Sequence, residues 1–144
     1  TNPGGRVYYG GTFNGHQVAL AAAAATQEKL KTGEVQKKLN KLCLELEKRF
    51  NDLSETLEVK STFQHIGGKF QIYFDLESVT GYRKAIKANK EKFKIFSETV
   101  MDNGILMKGR HLTHQGVCFA HTREDIDQMV RAMKKGLKSV VGEN

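Results

Sequence analysis

Long apolar runs and cysteines are both scarce in this 144-residue chain, and each scarcity removes a class of protein. No apolar run approaches the roughly 20 residues that a bilayer-spanning helix needs; the longest candidate, Val18 to Ala25, is mostly alanine and too short. Two cysteines, Cys43 and Cys118, are too few for a disulfide scaffold. Each has apolar neighbours, so buried, reduced thiols are expected. The opening Thr1-Asn2-Pro3-Gly4-Gly5 lacks the basic-then-apolar order of a signal peptide, and the expected setting is cytoplasmic, with no membrane partner. There is no internal repeat and no low-complexity linker. The formal charge of +7 invites a nucleic-acid partner. However, the lysines are spread along the chain, and no segment interleaves basic and aromatic residues as a stacking platform does. A solvated basic surface is expected, and no nucleic acid.

What is present is an ordinary globular balance, 39% hydrophobic and 27% charged, in a length that suits one domain over residues 1–144. Glycine and aromatics dominate residues 1–13, where a regular helix is not sustainable, and a lead-in strand or loop is expected. Alanines from Ala19 to Ala25 drive a helix from about Gly15 to Lys31. Its apolar residues lie almost all round, as in a helix buried between two layers. After Thr32-Gly33, Val35, Leu39, Leu42, Leu46, Phe50 and Leu53 recur at spacings of three and four, which predicts a second helix to about Leu53. Leu57 to Phe63 and Lys69 to Phe74 read as strands joined at Gly67-Gly68, an antiparallel hairpin. A short helical piece around Gly81 to Asn89 leads into a helix over Glu91 to Asp102, closed by Asn103-Gly104. Short strands follow at Ile105 to Met107 and Gly116 to Phe119. The last helix starts at Thr122 in a capping box with Asp125, and Ile126, Met129, Val130, Met133, Leu137 and Val140 form its inner stripe. The fold class expected is α+β: a small antiparallel sheet covered by helices, with a long N-terminal helix pair.

The most specific local pattern is Gly10-Gly11-Thr12-Phe13-Asn14-Gly15, ahead of the alanine-rich helix. Glycines expose backbone amides, a threonine offers a hydroxyl, and a helix start attracts anions. Such a segment can hold a phosphate, or it can be a plain connecting turn. Residues Gly11 to Ala22 resemble the glycine-threonine segment of class III aminotransferases, a branch of the fold-type I pyridoxal-phosphate enzymes. Met101-Asp102-Asn103-Gly104-Ile105-Leu106, followed by Phe119-Ala120-His121-Thr122-Arg123-Glu124-Asp125-Ile126-Asp127, resembles the ending of glutamate-1-semialdehyde aminomutase and its relatives. The Gly67-to-Phe74 strand sits where that family has a comparable glycine-pair strand. The resemblance covers nearly the whole chain, in order.

The resemblance implies the small-domain type of fold and a chain that is the C-terminal part of a larger enzyme using pyridoxal 5'-phosphate. It implies that the lead-in 1–13 carries a phosphate contact. In the family, the threonine matching Thr12, beside Gly11, reaches across a homodimer interface to the cofactor phosphate of the neighbouring subunit. The segment Lys108 to Phe119 corresponds to the lining on the substrate carboxylate side, where Arg110 is the candidate contact, since guanidinium pairs well with carboxylates. Ornithine- and aminobutyrate-type relatives have an arginine at the position of Cys118. The acidic gate residue of the aminomutase falls at Thr113, a departure that argues against the semialdehyde-shuttling reaction itself. The implied partners are an upstream large catalytic domain, a second subunit, and a small amino-acid or amino-ketone substrate. The Schiff-base lysine and the acid that pairs with the pyridinium nitrogen belong, in the family, to that large domain. None of the lysines here lies in a matching motif, so catalysis by this chain alone is not expected.

Two rival readings stand beside this one. The chain can be a non-catalytic basic interaction module. Alternatively His111, His114, Cys118 and His121 can form a small metal-binding domain, although their spacing matches no standard zinc site. His16 and His65 are isolated and read as surface or capping residues. The apolar helix carries a testable consequence. Exposed apolar surface over Val18–Ala25 should make the purified chain dimerise or bind a hydrophobic dye; a strictly monomeric chain without dye binding would count against it.

Overall fold

The computed structural model describes residues 10–142. Most of the lead-in, including Gly4-Gly5 and Tyr8-Tyr9, lies outside the described residues. The chain divides into two compact units, one through Val35 and the other from Gln36. In the first, α1 spans Gln17–Leu30, and none of its residues is buried. Gly15 supplies a left-handed turn at φ 77, and His16 caps the helix by accepting the Ala19 N–H on Nδ1 at 3.3 Å. Gly33, at φ 76, turns the chain out of that helix.

The second helix, α2 (Glu34–Thr56), presents Cys43, Leu46, Phe50 and Ser54 as its buried stripe. It continues past Leu53 because its end is closed without glycine. Glu58 takes the left-handed conformation at φ 53, the Val59 N–H donates to the Ser54 carbonyl at 2.8 Å, and the Ser54 hydroxyl donates to the Val59 carbonyl at 2.8 Å. The first strand is therefore displaced from the expected Leu57–Phe63. It is β1, Ser61–Ile66, paired antiparallel with β2, Lys69–Phe74, from Ser61 opposite Phe74 to Ile66 opposite Lys69. Gly67 makes the hairpin turn at φ 54. A side chain at Gly68 would meet the Val117 carbonyl at 3.1 Å.

Beyond the hairpin come α3 (Tyr82–Ala85) and α4 (Lys90–Asp102). Asn89 caps α4, its Oδ1 accepting from Glu91 N at 3.1 Å and Lys92 N at 3.0 Å. Asp75 ties the end of β2 to this cap, accepting from Lys92 Nζ at 2.6 Å and Asn89 Nδ2 at 2.8 Å. The bond from Lys92 holds the Asp75 carboxyl below the usual carboxylate range. The strand expected at Ile105–Met107 does not form. Helix α4 ends through Gly104 at φ 84, and the Ile105 N–H is spent on the Val100 carbonyl at 3.3 Å. Only Met107 of the three is buried, while Leu106 is 97% exposed.

The last strand is shorter than the expected Gly116–Phe119. It is β3, Gln115–Gly116, paired antiparallel with Phe70 and Lys69 of β2, so the sheet order is β1-β2-β3. After one further bond, Val117 N to the Gly68 carbonyl at 2.9 Å, the chain leaves the sheet in a turn closed by His121 N and the Cys118 carbonyl at 3.1 Å. That departure corrects the expectation of two buried thiols: Cys43 is buried, but Cys118 is exposed. The turn aims Val117 inward and Cys118 outward. Helix α5 (Arg123–Val141) begins at the capping box read from the sequence, with Thr122 and Asp125 each accepting from the other's backbone N–H.

The architecture is α+β, and its core lies between one face of the sheet and the long helices. Phe63 stacks on Phe70 at 4.8 Å, Phe50 meets both Phe63 and Phe96, and Phe74 meets Phe96 at 5.4 Å. Helix α5 closes against α4 at Gly136, where a Cβ would fall 2.7 Å from Phe96 Cδ2 and 3.1 Å from the Phe96 carbonyl. A Gly136→Ala substitution is therefore overpacked and should cost about 1–3 kcal/mol in denaturant unfolding. Combining it with Phe96→Leu should give a non-additive loss, because the two changes share one space. Additive losses in a double-mutant cycle would contradict the close approach.

Candidate functional site

The sequence reading placed candidate contacts at two points, and the structure assigns them to different units: Gly11 and Thr12 to the first, Arg110 to the second. Residues Thr12 to Gly15 form a turn immediately before α1. The Asn14 N–H donates to the Gly11 carbonyl at 3.0 Å, and His16 N to the Phe13 carbonyl at 3.1 Å. A Cβ at Gly11 would come within 3.3 Å of the Asn14 side chain, so a bare backbone suits this position. Thr12 is exposed.

Arg110 lies on the loop between Met107 and β3. No Asp or Glu occurs between Asp102 and Glu124, whereas Lys108, Arg110 and three histidines do, so this stretch is uniformly cationic or neutral. The loop is folded back on itself. The Thr113 N–H donates to the Arg110 carbonyl at 3.2 Å, and Leu112 adopts φ 62, a conformation unusual for a branched side chain. Its base is closed by Gln115, which is 6% exposed. Gln115 Oε1 accepts from Lys108 N at 2.9 Å, and Nε2 donates to the carbonyls of Lys108 at 3.0 Å and Thr113 at 2.9 Å. Arg110 is exposed between these anchor points. Leu112 lines a cleft of about 370 Å³ with Tyr73, Val79, Tyr82 and Ala85.

The four residues weighed as metal ligands are used separately. His111 meets the Phe93 ring edge-on, centroids 6.0 Å apart, and its Nε2 is buried without a hydrogen-bond partner. Burial first, and the charge of Lys90 second, push the His111 imidazole below its ordinary range. His114 is exposed. Cys118 donates its backbone N–H to His121 Nδ1 at 2.9 Å, and the adjoining turn is held by Lys38, which donates to the Phe119 carbonyl at 2.7 Å and lies 4.5 Å above the Phe119 ring. Among the described residues no three His, Cys, Asp or Glu side chains converge on a metal position.

His16 is a cap, as read from the sequence, but His65 is neither a cap nor a surface residue. Its side chain is 10% exposed, with Nε2 3.3 Å from Glu47 Oε2, because β1 packs this position against α2. Burial and then Glu47 raise the neighbouring Cys43 thiol to about 11, so it stays protonated at neutral pH and is no nucleophile. Gln115 and Asp75 were not singled out in the sequence. A glutamine between His114 and Gly116 carries no motif, and only closure of the loop reveals its use.

No family model matches the sequence. Over 135 residues, 94% of its length, the chain is 31% identical to the glutamate-1-semialdehyde 2,1-aminomutase of Archaeoglobus fulgidus, of which it covers 32%. Its fold superposes on an omega-transaminase from Sphaerobacter thermophilus with a TM-score of 0.81 and 21% identity, over 95% of this chain and 31% of that one. It superposes on a transaminase with PLP bound with a TM-score of 0.76 and 16% identity, over 94% of this chain and 30% of that one. The resemblance read from the sequence is thus found in a curated relative and in the fold. The chain spans about a third of the length of the proteins it matches.

The environment of His111 sets a pH dependence. Its folded-state affinity for a proton is below that of the unfolded chain, so its contribution to stability is complete above about pH 6.5 and is lost as pH falls through the lower folded value. Compared with His111→Phe, which keeps the ring beside Phe93 but takes no proton, the wild type should lose melting temperature progressively between pH 7 and 5. Parallel profiles for the two proteins would refute this account of the buried imidazole.

Proposed function

We propose that this chain is the C-terminal small domain of a pyridoxal-phosphate-dependent aminotransferase or aminomutase of class III, a cytoplasmic homodimer whose large domain precedes it in the polypeptide. The observation that carries the reading is the coincidence of two matches. Nearly all of this chain aligns in sequence with a third of an aminomutase, and nearly all of its fold superposes on a third of transaminase chains. Among the described residues no helix is long and apolar enough to cross a membrane.

The Gly11–Gly15 turn fits the phosphate of the cofactor. Gly11 and the Thr12 side chain are exposed, and both stand just before the start of α1, where anions are favoured. In this reading Gly11 and Thr12 hold the phosphate of the partner subunit's cofactor, and the Thr12 hydroxyl donates to a phosphate oxygen. Arg110, in a stretch without acids, pairs with the carboxylate of a small amino-acid or amino-ketone substrate at the mouth of the site. The cofactor, when bound, acts as an electron sink that stabilises carbanions. The reactive lysine belongs to the large domain.

In the longer polypeptide, Thr12→Ala should weaken retention of pyridoxal phosphate by about 10–100-fold, the range expected for a lost hydrogen bond to a charged group. Thr12→Ser should retain most of it. Cofactor titration by absorbance measures both, and unchanged affinity in the alanine variant would remove Thr12 from the phosphate site. A large portion bearing no cofactor-binding lysine would defeat the reading as a whole.

A further inference from the structure

We propose that Gln115 is the positioning residue of the Arg110 loop, an inference that rests, for its functional meaning, on Arg110 being the substrate-carboxylate contact. An isolated arginine on an exposed loop is a poor recognition element, because its long side chain and mobile backbone must both be ordered when the ligand arrives. Here the backbone is ordered in advance. The anchor residues Lys108 and Thr113 flank Arg110, and one buried amide bonds to both of them. Leu112 is held at φ 62 within the same span, a conformation that persists only where its surroundings over-determine it.

The chemistry required at position 115 is narrow. The side chain must accept once, from Lys108 N, and donate twice, to the carbonyls of Lys108 and Thr113. Only a primary amide does both in one planar group. A carboxylate of the same size accepts the first bond but turns its second oxygen on two carbonyls, so all three acceptors repel. A methionine fills the volume but takes away the partner that the Lys108 N–H and the Lys108 and Thr113 carbonyls have in Gln115. Asparagine is one methylene short. β3 fixes the backbone of Gln115 itself, since residue 115 pairs with Phe70 in the sheet. The loop is thus referred through one side chain to the rigid part of the fold, as a recognition group needs.

The test uses the 144-residue chain with Gln115→Glu and Gln115→Met, neither of which changes the volume much. Backbone order parameters of residues 109–112 and the Arg110 Nε–H signal are followed by NMR, and succinate serves as the carboxylate probe. In the wild type the loop should be as ordered as β2, and the Lys108 amide should be protected from hydrogen exchange. Both substitutions should bring the order parameters below about 0.6, the range of flexible backbone, and weaken succinate binding at Arg110 about tenfold. Lowering the pH through the titration of the introduced carboxyl should restore part of the order in Gln115→Glu, because a protonated acid donates once more. Gln115→Met should show no such recovery.

A loop that stays ordered in both variants overturns the proposal, and so does an unprotected Lys108 amide in the unsubstituted chain, which needs no variant to fold. If the loop loosens as expected but succinate never shifts the Arg110 signal in the wild type, the role of Arg110 fails while the hold of Gln115 on the loop stands.

Discussion

Phe96 and Gly136 occupy one space, and the remainder of the second unit depends on how they share it. The ring of Phe96 meets Phe50 of α2 at 6.1 Å and Phe74 of β2 at 5.4 Å. It lies so near α5 that Gly136 has room for no side chain. Three elements distant in sequence are therefore referenced to one aromatic group on α4. Interiors pack at crystal-like density, so displacing that ring displaces every element it touches. The sheet inherits its position from this contact through Phe74, and β3 inherits it through β2.

Position then passes from the core to the surface by hydrogen bonds. Asp75 and Asn89 fix where β2 hands over to α4. Gln115 fixes where the loop from α4 returns to the sheet. All three are polar side chains at joints between elements, and an apolar residue of equal size in place of Asn89 or Gln115 would leave backbone groups without these partners. The functional reading places its substrate contact on the second of these joints. A rigid joint carrying an exposed arginine combines low ordering cost with access to ligand. The first unit behaves differently, because its Gly11–Gly15 turn precedes a helix with no buried residue. Such a helix gains nothing from burial within the described structure, and its alanine-rich composition accounts for its helicity through propensity.

The similarity to about a third of an aminomutase and of two transaminases bears on both observations. Under the proposed function the chain is a segment of a larger enzyme, which retains a core of its own while presenting surfaces suited to the remainder. Thr113, where the resemblance read from the sequence implies an acid in the aminomutase, lies inside the Gln115-closed loop and donates its N–H to the Arg110 carbonyl. That position therefore falls within the same loop as Arg110, the carboxylate contact proposed above.

Most helices and the hairpin were legible in the amino-acid order because local physics decides them. The α2 stripe, the Gly67-Gly68 hairpin turn and the Thr122–Asp125 capping box each state their conformation within a few residues. The glycine-threonine turn and the resemblance it carries were legible for the same reason. Only the folded chain decided the rest. Whether Leu57 begins a strand depends on Ser54 and Val59 closing α2 across the turn. Whether Cys118 is inside depends on where β3 leaves the sheet. Gln115 gains its role from Lys108 and Thr113 being brought to its amide, and His65 its burial from α2 packing over β1. Periodicity reports which face a residue occupies within its own element, whereas these outcomes are set by partners that meet only when separate elements pack together.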